Sequence, residues 1–147
     1  MTHLHTVASV TPHIGLDLPA RAVSIAVGRS VIRRVVTFRD ADAESSFLVA
    51  FTEILANAVD EHRRLDLGDP VRVEIVQEPV ECVRVMDAGA GIALTASAPV
   101  TAVDDGEVSE RGRGLALARA FVADLELEST EDGTIATLPL HGLGIIR

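Results

Sequence analysis

The sequence predicts an α+β fold, a two-layer sandwich with helices on one face of a mixed β-sheet. Three observations lead there. Apolar residues recur at helical spacing in two early stretches and one late one, and they alternate in five shorter stretches. Their order along the chain reads β-α-α-β-β-loop-α-β-β. The 147 residues, 48% of them hydrophobic, suffice for one ordinary core.

Residues 1–13 are polar and His-rich without a period and read as a loose lead-in. Ile14-Gly15-Leu16-Asp17-Leu18 alternates and reads as a short strand. Pro19 suits the first turn of a helix over 20–37, where Val23, Val27, Val31 and Val35 fall at fours beside Ile25, Ile32 and Val36. Asp40-Ala41-Asp42 offers N-caps, and Glu44 suits the first turn of a second helix. That helix is expected to bury Phe47, Phe51, Ile54, Leu55, Ala58 and Val59 and to end at Arg63-Arg64, before Gly68 and Pro70.

Val71, Val73 and Ile75 alternate with Arg72 and Glu74, a half-buried strand. A turn at Gln77–Pro79 leads back into a strand over 81–86, forming a hairpin. Residues 93–111 have little period and read as a mobile loop or lid. Gly112-Arg113-Gly114 is expected to open a helix with Leu115, Ala118, Val122 and Leu125 on one face. Strands Leu125–Thr130 and Thr134–Leu140 are joined by Glu131-Asp132-Gly133, where Asp-Gly is a strong hairpin signal. No internal repeat or linker interrupts a single domain over 14–140, and 141–147 reads as a C-terminal tail.

Charge and composition exclude several functions. A net charge of −9, with no Lys/Arg cluster, argues against a nucleic-acid surface. Arg33-Arg34 and Arg63-Arg64 read as solvated faces or helix C-terminal charges. Cys82 is the only cysteine, so neither an internal disulfide nor a cysteine-based metal site is expected. His3, His5, His13, His62 and His141 show no helical metal-ligand spacing. Without a signal peptide, membrane span or basic amphipathic helix, the cytoplasm is the expected compartment.

Four short motifs carry candidate chemistry. In Val83–Ile92 an apolar strand runs into Asp87, after which Gly89 and Gly91 alternate with alanines. Glycine lets backbone approach a ligand, and the carboxylate can accept hydrogen bonds from an amino group. A dinucleotide fingerprint would need glycine at Leu94. A methyltransferase-like glycine run would need it at Ala93, with more strand–helix units than the remaining chain can supply. Read alone, the stretch could equally be a plain glycine-rich turn. Glu53 and Asn57, four apart, share a helix face. They are either a solvated flank or a carboxylate base beside an amide oxygen able to bind Mg²⁺. Gly112-x-Gly114 at a helix start offers free N–H groups and the positive dipole end to phosphate, or is merely an entry loop. Thr134 opens the last strand directly after Gly133, which alone says little.

Taken in this order, the motifs resemble the ATP-binding domain shared by DNA gyrase B, a heat-shock chaperone, histidine kinases and MutL, the Bergerat or GHKL fold. The N box would be Glu53–Val59, the glycine boxes Asp87–Gly91 and Gly112–Leu117, and Gly133-Thr134 matches as well. The small size and the Leu18–Val23 strand-to-helix entry look like bacterial anti-sigma-factor serine kinases of partner-switching systems. The resemblance covers residues 14–140. It implies ATP and Mg²⁺ as cofactors. Asp87 would accept from the adenine amino group, with Gly89 and Gly91 closing on the base. Asn57 would hold Mg²⁺, while Gly112, Gly114 and Leu115 present N–H groups to the phosphates, Arg113 adds a cation and Thr134 completes the site. Glu53 would take the proton from a partner's serine or threonine hydroxyl. The implied partners are a sigma factor and an anti-anti-sigma protein, met by a homodimer, with Arg29 at the partner surface or simply a solvated helix arginine. That family commonly has histidine four residues after the N-box asparagine. Here Glu61 stands there and His62 follows, and the lid is short and lacks a threonine-rich stretch. Two other readings stay open: a nucleotide-binding regulator without catalysis, and a detached histidine-kinase-like catalytic domain.

Overall fold

A computed structural model describes residues 12–89 and 110–147. Strands β1 (Pro12–Leu18), β3 (Val71–Val76), β4 (Cys82–Asp87), β5 (Glu126–Thr130) and β6 (Gly133–Pro139) form one sheet in the order β1-β3-β4-β6-β5. Each described pairing is antiparallel, which narrows the expected mixed sheet. Helices α1 (Ala22–Val35), α2 (Ala41–Arg64) and α3 (Glu110–Phe121) make up the second layer.

Helix α2 is the axis of that layer. The Asp40 carboxylate caps it, accepting from Ala43 N at 2.8 Å, and this bond, with Arg39 beside it, holds the carboxyl below its usual range. Phe47, Phe51, Ile54, Leu55, Ala58 and Val59 are all buried, as their spacing predicts. They meet Val71, Val73 and Ile75 of β3 and Val83 and Val85 of β4 in one core. Leu115, Ala118, Val122 and Leu125 are buried together, and α3 packs along α2. The sheet's other face is polar. There Arg72 reaches Asp17 at 3.2 Å and Glu74 at 3.4 Å, and Arg84 also reaches Glu74 at 3.4 Å. Such partly solvated pairs contribute little each, but they give that face water-compatible side chains.

The first helix departs from the expectation. Its buried line is Ser24, Gly28 and Ile32, while Val23 and Val27 stand 61% and 44% exposed. Gly28 lies directly against Phe51 and Leu55, so α1 approaches α2 through its smallest residue. The Ser24 hydroxyl is satisfied by the Pro19 carbonyl at 2.5 Å. Pro19 thus lies ahead of the helix, not in its first turn.

The helix also stops at Val35. Val36–Phe38 form a short strand, β2, suited to a β-branched run. Its antiparallel partner is β7 (Gly144–Ile146), within the residues expected to be a tail. Ile146 is buried, its N–H donates to Glu81 Oε2 at 2.6 Å, and Arg147 Nε donates to Thr37 Oγ1 at 2.8 Å. Among the described residues, no helix is long and apolar enough to cross a membrane.

Candidate nucleotide site

The ends of β4 and β6, the middle of α2 and the start of α3 converge on one small cleft with a free volume of about 10 Å³. Asn57 and Ala58 line it from α2, Asp87 from β4, Leu115 from α3, and Thr134 and Ala136 from β6. Register explains the pairing of the strand ends, since Asp87 is the cross-strand partner of Thr134. The two-residue turn Glu131-Asp132 sets that register and leads into Gly133, whose φ of +142° suits glycine. A side-chain carbon at Gly133 would also run into the Asp87 carbonyl.

Asp87 is half-buried at the cleft floor, and desolvation pushes its carboxyl above the usual range. Hydrogen bonds from the Gly89 and Thr134 main chains oppose that rise, whereas Glu61 adds to it. The Gly89 N–H donates to Asp87 Oδ1 at 2.9 Å. The result is an oriented acceptor in a small, mostly apolar recess.

Glu53 and Asn57 do share one flank of α2, and that flank faces α3. A carbon at the Gly114 Cβ position would lie 2.6 Å from Glu53 Oε2 and 3.7 Å from Asn57 Nδ2. Asn57 is buried and Glu53 half-buried, so neither stands on a freely solvated face. Among the described residues, no group of three or more His, Cys, Asp or Glu side chains is placed to hold a metal ion.

Helix α3 begins earlier than expected, at Glu110. Gly112 therefore lies in its first turn, where N–H groups lack partners within the helix. Gly114 and Leu115 lie a turn further on, where helical N–H groups bond back to earlier carbonyls. Leu115 contributes its side chain to the cleft instead. Arg113 lies in the same helix, but its side chain is outside the described residues, as are Gly91 and the expected lid up to residue 109. Arg29 does not line the cleft. It is half-buried on α1 and donates from Nη1 to Thr52 Oγ1 of α2 at 2.6 Å.

Two residues that sequence reasoning placed only as a departure are structurally engaged. Glu61 is buried against Gly89 and pairs with Arg64 at 2.8 Å. His62, fully buried, contacts the Asp69 carbonyl and the Ala88 N–H. The signal for His62 was its place just inside the charged end of an otherwise apolar helix face.

The family described as the histidine-kinase-like ATPase domain matches residues 18–140. The structure is similar to a crystal structure of the RsbU and RsbW domains of Rv1364c from Mycobacterium tuberculosis, with 19% sequence identity and a TM-score of 0.57. The similarity covers 92% of this chain and 33% of that one, so this chain spans about one third of that chain's length. At that identity the likeness shows a shared fold. A search of curated protein sequences found no significant match.

Proposed function

The chain belongs to the histidine-kinase-like ATPase domain family, and from that premise we propose that it binds ATP in this cleft and phosphorylates a partner protein. The observation that supports the reading is that Asn57 of α2 and Asp87 of β4 line one cleft, while Glu53, one turn before Asn57 on α2, faces Gly114 of α3. Asp87 is an acceptor suited to the adenine amino group; guanine has a carbonyl oxygen there and offers no proton. Following the resemblance, Gly89 and Gly91 are assigned to the backbone beside the base, and Thr134 is the cross-strand partner of Asp87. At the phosphate end, Gly112 supplies a first-turn N–H, with Gly114 and Leu115 forming the adjacent helix wall and Arg113 a cation.

Asn57 would hold Mg²⁺ through its amide oxygen, a hard donor. The ion would supply neutralisation of phosphate charge. Glu53 then has one task. It accepts the proton of a partner serine or threonine hydroxyl as that oxygen bonds to the γ-phosphorus and the bond to the β-phosphate oxygen breaks, leaving ADP. Positioning supplies most of the catalysis in such transfer, and Glu53 faces Gly114 of α3.

The partner assignment follows the anti-sigma-kinase resemblance: a sigma factor held by the protein and an anti-anti-sigma protein as phosphoacceptor. The fold shared with a structure containing an RsbW domain supports it. Arg29 is the proposed contact residue, and exposed Val23 and Val27 are the proposed surface of a homodimer. A regulator that binds nucleotide without transferring phosphate is the second reading, favoured by Glu61 at the position where histidine is common.

Incubating the purified protein with labelled ATP and candidate antagonists tests the proposal. Label on an antagonist serine or threonine is expected. Binding without transfer selects the regulator, and absence of ATP binding overturns both readings.

A further inference from the structure

We propose that His62 is a positioning residue that fixes the turn through which Asp87 reads the base, an inference that rests on the nucleotide reading above. The imidazole is 0% exposed and bonded at both nitrogens. Nδ1 lies 2.8 Å from the Asp69 carbonyl oxygen, which carries no proton, so Nδ1 is the donor. Nε2 lies 2.9 Å from the Ala88 nitrogen, whose N–H it accepts. Both bonds exist together only in the neutral ring with its proton on Nδ1.

The position of Ala88 gives this bond its meaning. Strand β4 ends at Asp87, so the Ala88 N–H has left the ladder and needs a partner outside it. His62 supplies its acceptor. The next N–H, that of Gly89, goes to Asp87 Oδ1 at 2.9 Å. Two consecutive amides are thus held, one by α2 and one by the base-reading carboxylate itself. The other end of the ring is tied to the loop after α2, where Leu67 N donates to the His62 carbonyl at 2.9 Å. His62 therefore sets where the chain turns after Asp87, and so where that carboxylate points.

Two shorter side chains separate the two nitrogens. In His62→Gln an amide oxygen can stand near the Nε2 position and accept from Ala88. In His62→Asn the amide reaches only the Nδ1 position, keeping the Asp69 bond and losing Ala88. Three measurements are made on each full-length variant: thermal stability, exchange of the Ala88 amide, and affinity for ATP and GTP. The Asn variant is expected to exchange Ala88 faster and to lose about tenfold in ATP affinity, with less preference over GTP, as for one lost hydrogen bond. The Gln variant is expected to stay within about threefold of wild type, even if both variants melt at the same lowered temperature. Equal ATP affinity in the Asn variant and wild type overturns the inference. So does a loss that follows melting temperature alike in both variants, since that marks a purely structural histidine. A wild type that binds no adenine nucleotide overturns the underlying reading as well, and is recognised because it needs no variant.

Discussion

Glu53 and Gly114 face each other between α2 and α3, so closely that a Cβ at Gly114 would lie 2.6 Å from the Glu53 carboxylate oxygen. The glycine is what leaves the carboxylate in its place. Gly114→Ala is expected to fold, because the atom displaced is the end of a flexible side chain. Displacing the base by about an ångström should lower phosphate transfer on the order of a hundredfold, while ATP affinity changes only a few-fold. Single-turnover assays with calorimetry separate the two. Unchanged transfer would remove Glu53 from the base position.

Removing the two polar residues on that flank should have different effects. Glu53→Ala is expected to abolish transfer and leave nucleotide affinity within a few-fold. Asn57→Ala is expected to lose the Mg²⁺-dependent part of the affinity. Titrating ATP with and without Mg²⁺ against both variants checks the division, and a Glu53→Ala variant that still transfers phosphate refutes it.

Asp87 opposes stability and affinity in a way that pH can expose. Its folded-state pKa is raised, chiefly by burial, so the ionised carboxyl costs the folded state stability at any pH above the unfolded value. That cost disappears as pH falls through the raised folded value and on below the unfolded one. Asp87→Asn keeps an oxygen for the Gly89 N–H and removes the charge. The apo variant should therefore melt no lower than wild type at neutral pH, with any advantage vanishing in acid. Its ATP affinity should nonetheless drop by about 1–3 kcal/mol, for a lost charge-assisted bond. Equal affinity for GTP in the wild type would refute the adenine assignment.

Gly133 is the turn residue on which the strand ends depend. With φ at +142° and the Asp87 carbonyl where a Cβ would go, Gly133→Ala should destabilise the fold by about 1–3 kcal/mol or more. Denaturant titration measures it. A variant as stable as wild type would mean that β4 and β6 can separate there without cost.

Assembly is tested on α1. Light scattering at micromolar concentration should give twice the 15.6 kDa chain mass, and a single-chain mass refutes the dimer. Because Val23 and Val27 are exposed, Val23→Lys with Val27→Lys should yield folded monomers. Arg29→Glu should impair partner capture yet leave ATP binding intact. Thr52→Val is the control, since it removes the 2.6 Å bond to Arg29 without changing charge. If that control alone abolishes capture, the bond positions Arg29; if Arg29→Glu unfolds the chain, the arginine is structural.

What the sequence by itself determined was local in origin. The fours-and-threes spacing of α2, the alternation in β3 and β4, the Asp40 cap and the Asp-Gly turn each need only near neighbours, and each is present in the structure. The order of Glu53, Asn57 and Asp87 was readable for the same reason. Tertiary structure decided the rest. Spacing offered α1 a valine face, yet the helix turned Gly28 inward because contact with Phe51 and Leu55 rewards the residue that allows the closest approach. Residues 36 and 37 looked helical until a strand from the other end of the chain paired with them. Gly114 against Glu53, Arg29 on Thr52, and His62 between Asp69 and Ala88 are likewise contacts between elements. Periodicity records which face of a segment is apolar; it carries no information about what arrives at that face, and those partners are chosen only when distant segments compete for the same volume and the same hydrogen bonds.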